Sequence, residues 1–196
     1  ALFNVLENRG QILALLFSCL VMMGHFLIIP FINPYLEFNK GFSRNLTPMI
    51  YLFGGIAAFF SAITLGKFSD KVGKLRVFSY SVLFSFILVW VITNMPVIPF
   101  SIVILLFVIW FAVATGRGVS AQAMISNVVH ADQRGSFMSF NSSVQQLGTA
   151  IASFTSGFVV IKDSSGKLQH YEWLGYLSVF VLLVALMLGR WLFADM

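Results

Sequence analysis

The sequence predicts an all-α membrane protein with six transmembrane helices, because its composition is too apolar for water and its apolar residues fall into six long stretches. Apolar residues make up 59% of the 196 residues, charged residues make up 10%, and the mean hydropathy is +0.91. Soluble domains are about 45–50% apolar and about 25% charged. A soluble fold of this length has too little interior to bury so many apolar side chains. Lipid must therefore contact much of the surface.

The six apolar stretches approach or exceed the roughly 18–20 residues that span a bilayer. They cover residues 11–36, 47–65, 77–93, 99–128, 137–161 and 171–193. Each is predicted to be a helix, because a helix satisfies its own backbone polar groups in lipid, whereas a barrel strand shows about 10 alternating residues. The connections are short, so residues 1–196 are predicted to form one domain.

The distribution of basic residues predicts the orientation in the membrane. Seven Lys and Arg residues flank the spans on one side and four on the other, and only Arg117 lies inside a span. The positive-inside rule then places both termini in the cytoplasm of a multi-pass protein of the plasma (inner) membrane. The same asymmetry explains the net charge of +5 without a nucleic-acid partner.

Several classes of function lack a sequence signal. Cys19 is the single cysteine, so neither a disulfide framework nor a zinc cluster can form. Phosphate loops and nucleophile elbows are missing as well, and we expect no enzyme, no cofactor and no metal site. The first residue is Ala1, and we expect the chain to be a fragment or an isolated half of a longer protein.

The connection at residues 66–76 carries the strongest local pattern. Gly66 can let two helix ends approach closely, Gly73 can adopt a positive φ, and Asp70 is expected to cap the helix that follows. Three basic side chains are expected to pair with Asp70 or lipid phosphate and to keep the segment cytoplasmic: Lys71, Lys74 and Arg76. The pattern is equally compatible with an ordinary capped turn.

This segment resembles the signature loop of the major facilitator superfamily, which joins the second and third helices of a six-helix half. The chain matches that loop at Gly66, Asp70, Gly73 and Lys74. It departs from the loop at Lys71, where arginine is usual and can form a bidentate pair that lysine cannot. The resemblance implies that the segment acts as a cytoplasmic gate.

Other segments are similar to drug- and sugar-efflux members of the superfamily, namely residues 51–55, 116–118, 134–139 and 145–148. In those relatives the segments lie in the carboxy-terminal half. The resemblance implies two inverted three-helix repeats, an amino-terminal six-helix partner and a central cavity between the halves. It also implies alternating-access transport of a small organic solute, with proton-coupled efflux as the expected mode.

Polar or aromatic residues within the spans are the candidates for the cavity wall. They are Arg117, His25, Asn33, Trp110, Thr115, Asn141 and Gln145. Arg117 is expected to face a cavity because an ionisable group at membrane depth is costly, although it can also cap carbonyls or snorkel to headgroups. His25 can relay protons or bond to a neighbouring helix as a neutral side chain.

Two further interpretations remain open at this stage. Pro30 and Pro34 are expected to kink the first helix, either beside the binding site or as a plain structural kink. Gly148, Ala152 and Ser156 recur every four residues and favour close packing against another helix. A six-helix unit of this kind could also be a non-transporting membrane scaffold or a self-pairing partner subunit.

Overall fold

The computed structural model describes residues 8–194, which form a bundle of six long helices. The helices are α1 (Arg9–Phe26), α2 (Thr47–Val72), α3 (Lys74–Asn94), α4 (Phe100–Ser126), α5 (Arg134–Val159) and α6 (Tyr171–Leu192). The six predicted helices are confirmed, although several ends differ from the prediction. All of the helices except α5 are long and apolar enough to cross a membrane.

The connection predicted at residues 66–76 is almost entirely helical. α2 continues to Val72, α3 begins at Lys74, and Gly73 alone joins them with a φ of 108°. The positive φ at Gly73 is as predicted, but the cap predicted for Asp70 is wrong, since no side-chain hydrogen bond caps the start of α3. α2 has 26 residues, about 39 Å, and exceeds a hydrocarbon core of about 30 Å. Lys67, Asp70 and Lys71 therefore lie on a part of α2 that continues beyond the hydrocarbon.

The first helix is broken after Phe26, as its prolines predict. The chain continues as a 3-10 turn (Ile29–Phe31), a single α-turn (Ile32–Pro34) and a π-turn (Tyr35–Asn39). Proline has no N–H to donate and cannot continue the helical ladder, so carbonyl groups are released near the break.

Hydroxyl groups from α5 and α6 bond to these carbonyl groups. The Ser156 hydroxyl donates to the Leu27 carbonyl over 2.6 Å, and the Tyr171 hydroxyl donates to the Ile28 carbonyl over 3.1 Å. Ser178 donates to the carbonyl of Gly24. These carbonyl groups near the break therefore have hydrogen-bond partners within the fold.

The helices pack as two equivalent sets of three. The packing of α2 on α4 corresponds to the packing of α5 on α1, and the packing of α3 on α4 corresponds to that of α6 on α1. In addition, α3 and α6 pack on each other. Exchanging α1–α3 with α4–α6 reproduces this pattern. Because consecutive helices with short connections alternate in direction, the second set is inverted relative to the first.

The two ends of the bundle have different connections. One end, here called the Gly73 end, contains Gly73 and the turn between α4 and α5. The other, the hairpin end, contains a small antiparallel hairpin of β1 (Ile161–Lys162) and β2 (Leu168–Gln169). A hydrogen bond from the Ser165 hydroxyl lowers the pKa of the Asp163 carboxyl in the hairpin turn.

Candidate functional site

α5 presents three different faces, and one of them is buried in the bundle. Asn141, Gly148, Ala152 and Ser156 form this buried face. A Cβ atom on Gly148 would lie 2.6 Å from the Cys19 carbonyl oxygen, so α1 and α5 approach closely there. The close packing that the small residues predict is confirmed.

The second face of α5 is an exposed stripe of small and polar residues, here called the polar stripe. Its members recur every three or four residues and therefore share one side of the helix. They are Ser139, Ser143, Gln146, Ala150, Ser153 and Gly157. Sequence reasoning missed this stripe, although the helical spacing of its small polar residues was available as a signal.

The third face of α5 is exposed and fully apolar. It consists of Leu147, Ile151, Phe154 and Phe158, again at helical spacing, with Phe158 73% exposed. Large apolar side chains at this exposure suit lipid, whereas the adjacent polar stripe suits water or a polar partner. α5 therefore lies at a boundary between two environments.

A cluster of amide side chains connects α5 to α1 and α4. The Gln145 amide donates to the Ser18 hydroxyl over 3.0 Å and to Oε1 of Gln122 over 3.1 Å. Asn141 reaches the same Gln122 oxygen over 3.5 Å, and its own Oδ1 is buried without a partner. The predicted pair Asn141 and Gln145 thus belongs to one network, to which the structure adds Ser18 and Gln122.

The central contact between α1 and α4 is aromatic. The rings of His25 and Trp110 have centroids 4.9 Å apart and are tilted by 30°. His25 Nδ1 and Trp110 Nε1 are both buried and make no hydrogen bond within the described residues. The structure therefore brings these two predicted residues together and leaves each with unused hydrogen-bonding capacity.

Arg117 lies inside the bundle, with a relative exposure of 2%. Its Nη1 atom donates to the Ser85 hydroxyl on α3 over 2.8 Å, while its Nε atom is buried without a partner. One turn along α4, the Ser120 hydroxyl is also buried without a partner. Arg117 thus neither snorkels nor caps a loop carbonyl in this arrangement.

Two other predicted cavity residues are separate from this cluster. Asn33 is exposed in the broken segment near the hairpin end. Thr115 is half-buried, and its hydroxyl donates to the Phe111 carbonyl of its own helix over 2.8 Å. Neither side chain contacts the amide cluster through a hydrogen bond among residues 8–194.

The residues predicted to form a gate lie at the Gly73 end of the bundle. Asp70, Gly73 and Lys74 line a cavity of about 230 Å³ together with Asn127 and Phe193 from the ends of α4 and α6. Lys71 and Arg76 are exposed beside it, and Gly66 packs near Val119 of α4. The segment therefore contacts the second set of three helices.

The comparison with protein-family models decides the family. The model described as the Major Facilitator Superfamily matches residues 14–196, which is nearly the whole chain. The chain belongs to the Major Facilitator Superfamily. A comparison with curated proteins found no match.

Membership of the Major Facilitator Superfamily makes the chain a multi-pass integral membrane protein of a family that transports solutes across membranes. The repeated three-helix packing is the architecture expected for a half of such a transporter. Within residues 8–194 no group of three His, Cys, Asp or Glu side chains comes together as a metal site. The site is thus built from amides, hydroxyls, aromatic rings and one arginine.

Proposed function

We propose that this chain is the carboxy-terminal half of a secondary active transporter that moves a small organic solute by alternating access. Proton-coupled efflux through the plasma membrane is the proposed mode, with both termini in the cytoplasm. The proposed partner is an amino-terminal six-helix half, and the solute binds between the halves. Family membership supports transport, and the polar atoms of α1, α4 and α5 support the location of the cavity.

The polar stripe of α5 is the observation that carries this proposal. A stripe of serine, glutamine and glycine facing hydrocarbon would gain nothing from lipid and would lose hydrogen bonds to water. In a membrane helix such a face meets a water-filled cavity or another helix. The stripe therefore supports a partner half and a hydrated cavity on this side of α5.

Polar groups beside the stripe form the proposed inner wall. Gln122 and Gln145 of the amide cluster are half-buried and can exchange hydrogen bonds with a polar solute, whereas Asn141 is fully buried and bonds to Gln122. His25 lies two turns along α1 from Ser18 of this cluster, and its Nδ1 atom is buried without a hydrogen bond within the described residues. The proposed proton coupling assigns the titrating group to His25, because an imidazole ordinarily changes its charge near neutral pH.

The proposed gate lies at the Gly73 end. A partner half that closes against the 66–76 segment would cover Asp70, Lys71 and Arg76, which are all exposed in the half described here. Charged side chains at such a contact can pair with opposite charges on the partner. Opening and closing of this contact would alternate the access of the cavity.

Labelling of single cysteines in membranes tests where the cavity lies. Ser143→Cys and Gln146→Cys place a thiol on the polar stripe, while Leu147→Cys and Phe154→Cys place one on the adjacent apolar face. All four variants are made in the full-length transporter with Cys19→Ala. We expect a membrane-impermeant maleimide to label the stripe positions at least about tenfold faster, because thiols react as hydrated thiolates. Equal labelling of both faces, or faster labelling of the apolar face, would refute a water-filled cavity along α5.

A further inference from the structure

Arg117 carries a positive charge that no other protein group in the described chain neutralises. Its hydrogen-bond partner, the Ser85 hydroxyl, is neutral. The acidic residues among 8–194 are all remote from the middle of the helices: Glu37, Asp70, Asp132, Asp163 and Glu172 lie at helix ends or in connections. A buried charge without a counter-charge is strongly unfavourable in a low-dielectric interior.

Geometry argues against a partner half as the source of the missing charge in this arrangement. The described half has no other chain against it, so any side chain that faces a partner is exposed. Arg117 is only 2% exposed in that same state. The guanidinium therefore faces the interior of its own six-helix half, between α3 and α4.

Two hydrogen-bond donors without partners occur together at this position. Nε of Arg117 and the hydroxyl of Ser120 are buried and lack partners, and Ser120 has a relative exposure of 0%. Residues three apart share one face of a helix and lie about 5 Å apart along it. An N–H group can only donate, and a hydroxyl can donate as well as accept. The pair therefore suits a ligand that accepts hydrogen bonds.

We propose that Arg117 and Ser120 bind a small monovalent inorganic anion, with chloride as the physiological ligand. Water could accept the two hydrogen bonds, but it would leave the guanidinium charge uncompensated. A large organic anion does not suit a position that is almost completely enclosed by the bundle. The anion would neutralise Arg117 and stabilise the packing of α4 against α3. This inference does not depend on which solute the transporter moves.

Thermal unfolding of the purified chain in different salts tests the site. Chloride is varied from 1 to 300 mM at constant ionic strength, with gluconate as the replacing anion. For a dissociation constant of about 10 mM, linkage predicts a saturable rise in Tm of roughly 4–8 °C. Bromide should act as chloride does. An equal Tm in chloride and gluconate would overturn the proposal.

Two variants and two matched controls locate the effect. Arg117→Gln should abolish the chloride-dependent rise, and Ser120→Ala should reduce it by at least half. Arg190→Gln removes the same charge at an exposed position, and Ser142→Ala removes an exposed hydroxyl, so both should keep the full rise. A full rise in Arg117→Gln would assign the anion to another site and refute the proposal.

A binding measurement keeps the proposal testable if Arg117→Gln does not fold. Radioactive chloride should bind the wild-type chain at one saturable site and bind Ser120→Ala at least about fivefold more weakly. The Ser142→Ala control should bind as the wild type does. Absence of saturable binding to the wild-type chain would exclude the site.

Discussion

The side chain of Asn39 and the backbone of Leu168 exchange two hydrogen bonds, each 2.8 Å long. The Asn39 amide donates to the Leu168 carbonyl, and the Leu168 N–H donates to Oδ1 of Asn39. Asn39 is the last residue of the broken segment, and Leu168 lies in β2. An asparagine side chain thus pairs with the hairpin as a neighbouring strand would and holds the end of the first span against it.

Asn39→Ala should destabilise the hairpin end. Both hydrogen bonds are lost, and the half-buried backbone groups of Leu168 are left without a partner, so we expect a loss of about 1–3 kcal/mol in the free energy of unfolding. Amide exchange at Leu168 should accelerate in parallel. Asn45→Ala, at an exposed position near the same end, is the control and should leave both quantities unchanged. Unchanged exchange at Leu168 in Asn39→Ala would contradict the pairing.

Ser156→Ala should destabilise the break in the first span. The Ser156 hydroxyl is fully buried and bonds to the Leu27 carbonyl, so its removal leaves a buried acceptor without a partner. Such a loss costs about 1–3 kcal/mol. Ser153→Ala removes an exposed hydroxyl from the same helix and should be nearly neutral. Reversible unfolding in mixed micelles measures both variants, and equal stabilities would show that the Ser156 bond is dispensable.

Gly148→Ala should force α1 and α5 apart. The new Cβ would lie 2.6 Å from a backbone oxygen of Cys19, which cannot move without displacing α1. Overpacking of this kind costs about 1–3 kcal/mol. Gly157→Ala is the matched control, because a Cβ at Gly157 meets no atom within 4 Å. If the Gly148→Ala variant is as stable as the Gly157→Ala control, α1 and α5 do not pack as closely at this contact as the structure indicates.

The sequence predicts the architecture well because hydropathy and proline act locally. Apolar stretches determine six helices, and Pro30 with Pro34 determines the break in the first span. The preference of Gly73 for a positive φ is also a property of one residue. The extent of α2 was underestimated because Lys67, Asp70 and Lys71 end an apolar stretch without ending a helix.

The polar contacts between helices could not be predicted from the sequence, because they depend on which helices become neighbours. Gln145 is recognisable as polar within a span, but its partners Ser18 and Gln122 lie 127 and 23 residues away in the chain. The sequence predicts that Asn39 lies in a loop, and its hydrogen bonds to Leu168 follow from the packing of the hairpin beside it. Arg117 stands out as a charge at membrane depth, whereas its inward orientation toward Ser85 follows from the packing of α3 on α4.

Arg117→Ala should reduce transport in the full-length protein without lowering its amount in the membrane. Removal of the guanidinium alters the charge beside the proposed inner wall and removes the hydrogen bond that links α4 to Ser85 of α3. We expect a decrease in transport rate of about tenfold or more, since interactions that position a reacting or bound group have effects of this size. Initial rates of solute movement, normalised to surface expression, measure the effect. Arg190→Ala is the control, and an unchanged rate in Arg117→Ala would remove Arg117 from the transport mechanism.

Solute flux in proteoliposomes with an imposed pH gradient tests the central proposal most directly. The 196-residue chain alone is compared with the same chain joined to its amino-terminal six-helix half, using ethidium and a labelled sugar as probes. The account predicts flux driven by the pH gradient when both halves are present and none from the chain alone. Flux from the chain alone would show that copies of this half assemble a pathway by themselves and would contradict its role as one half of a single transporter.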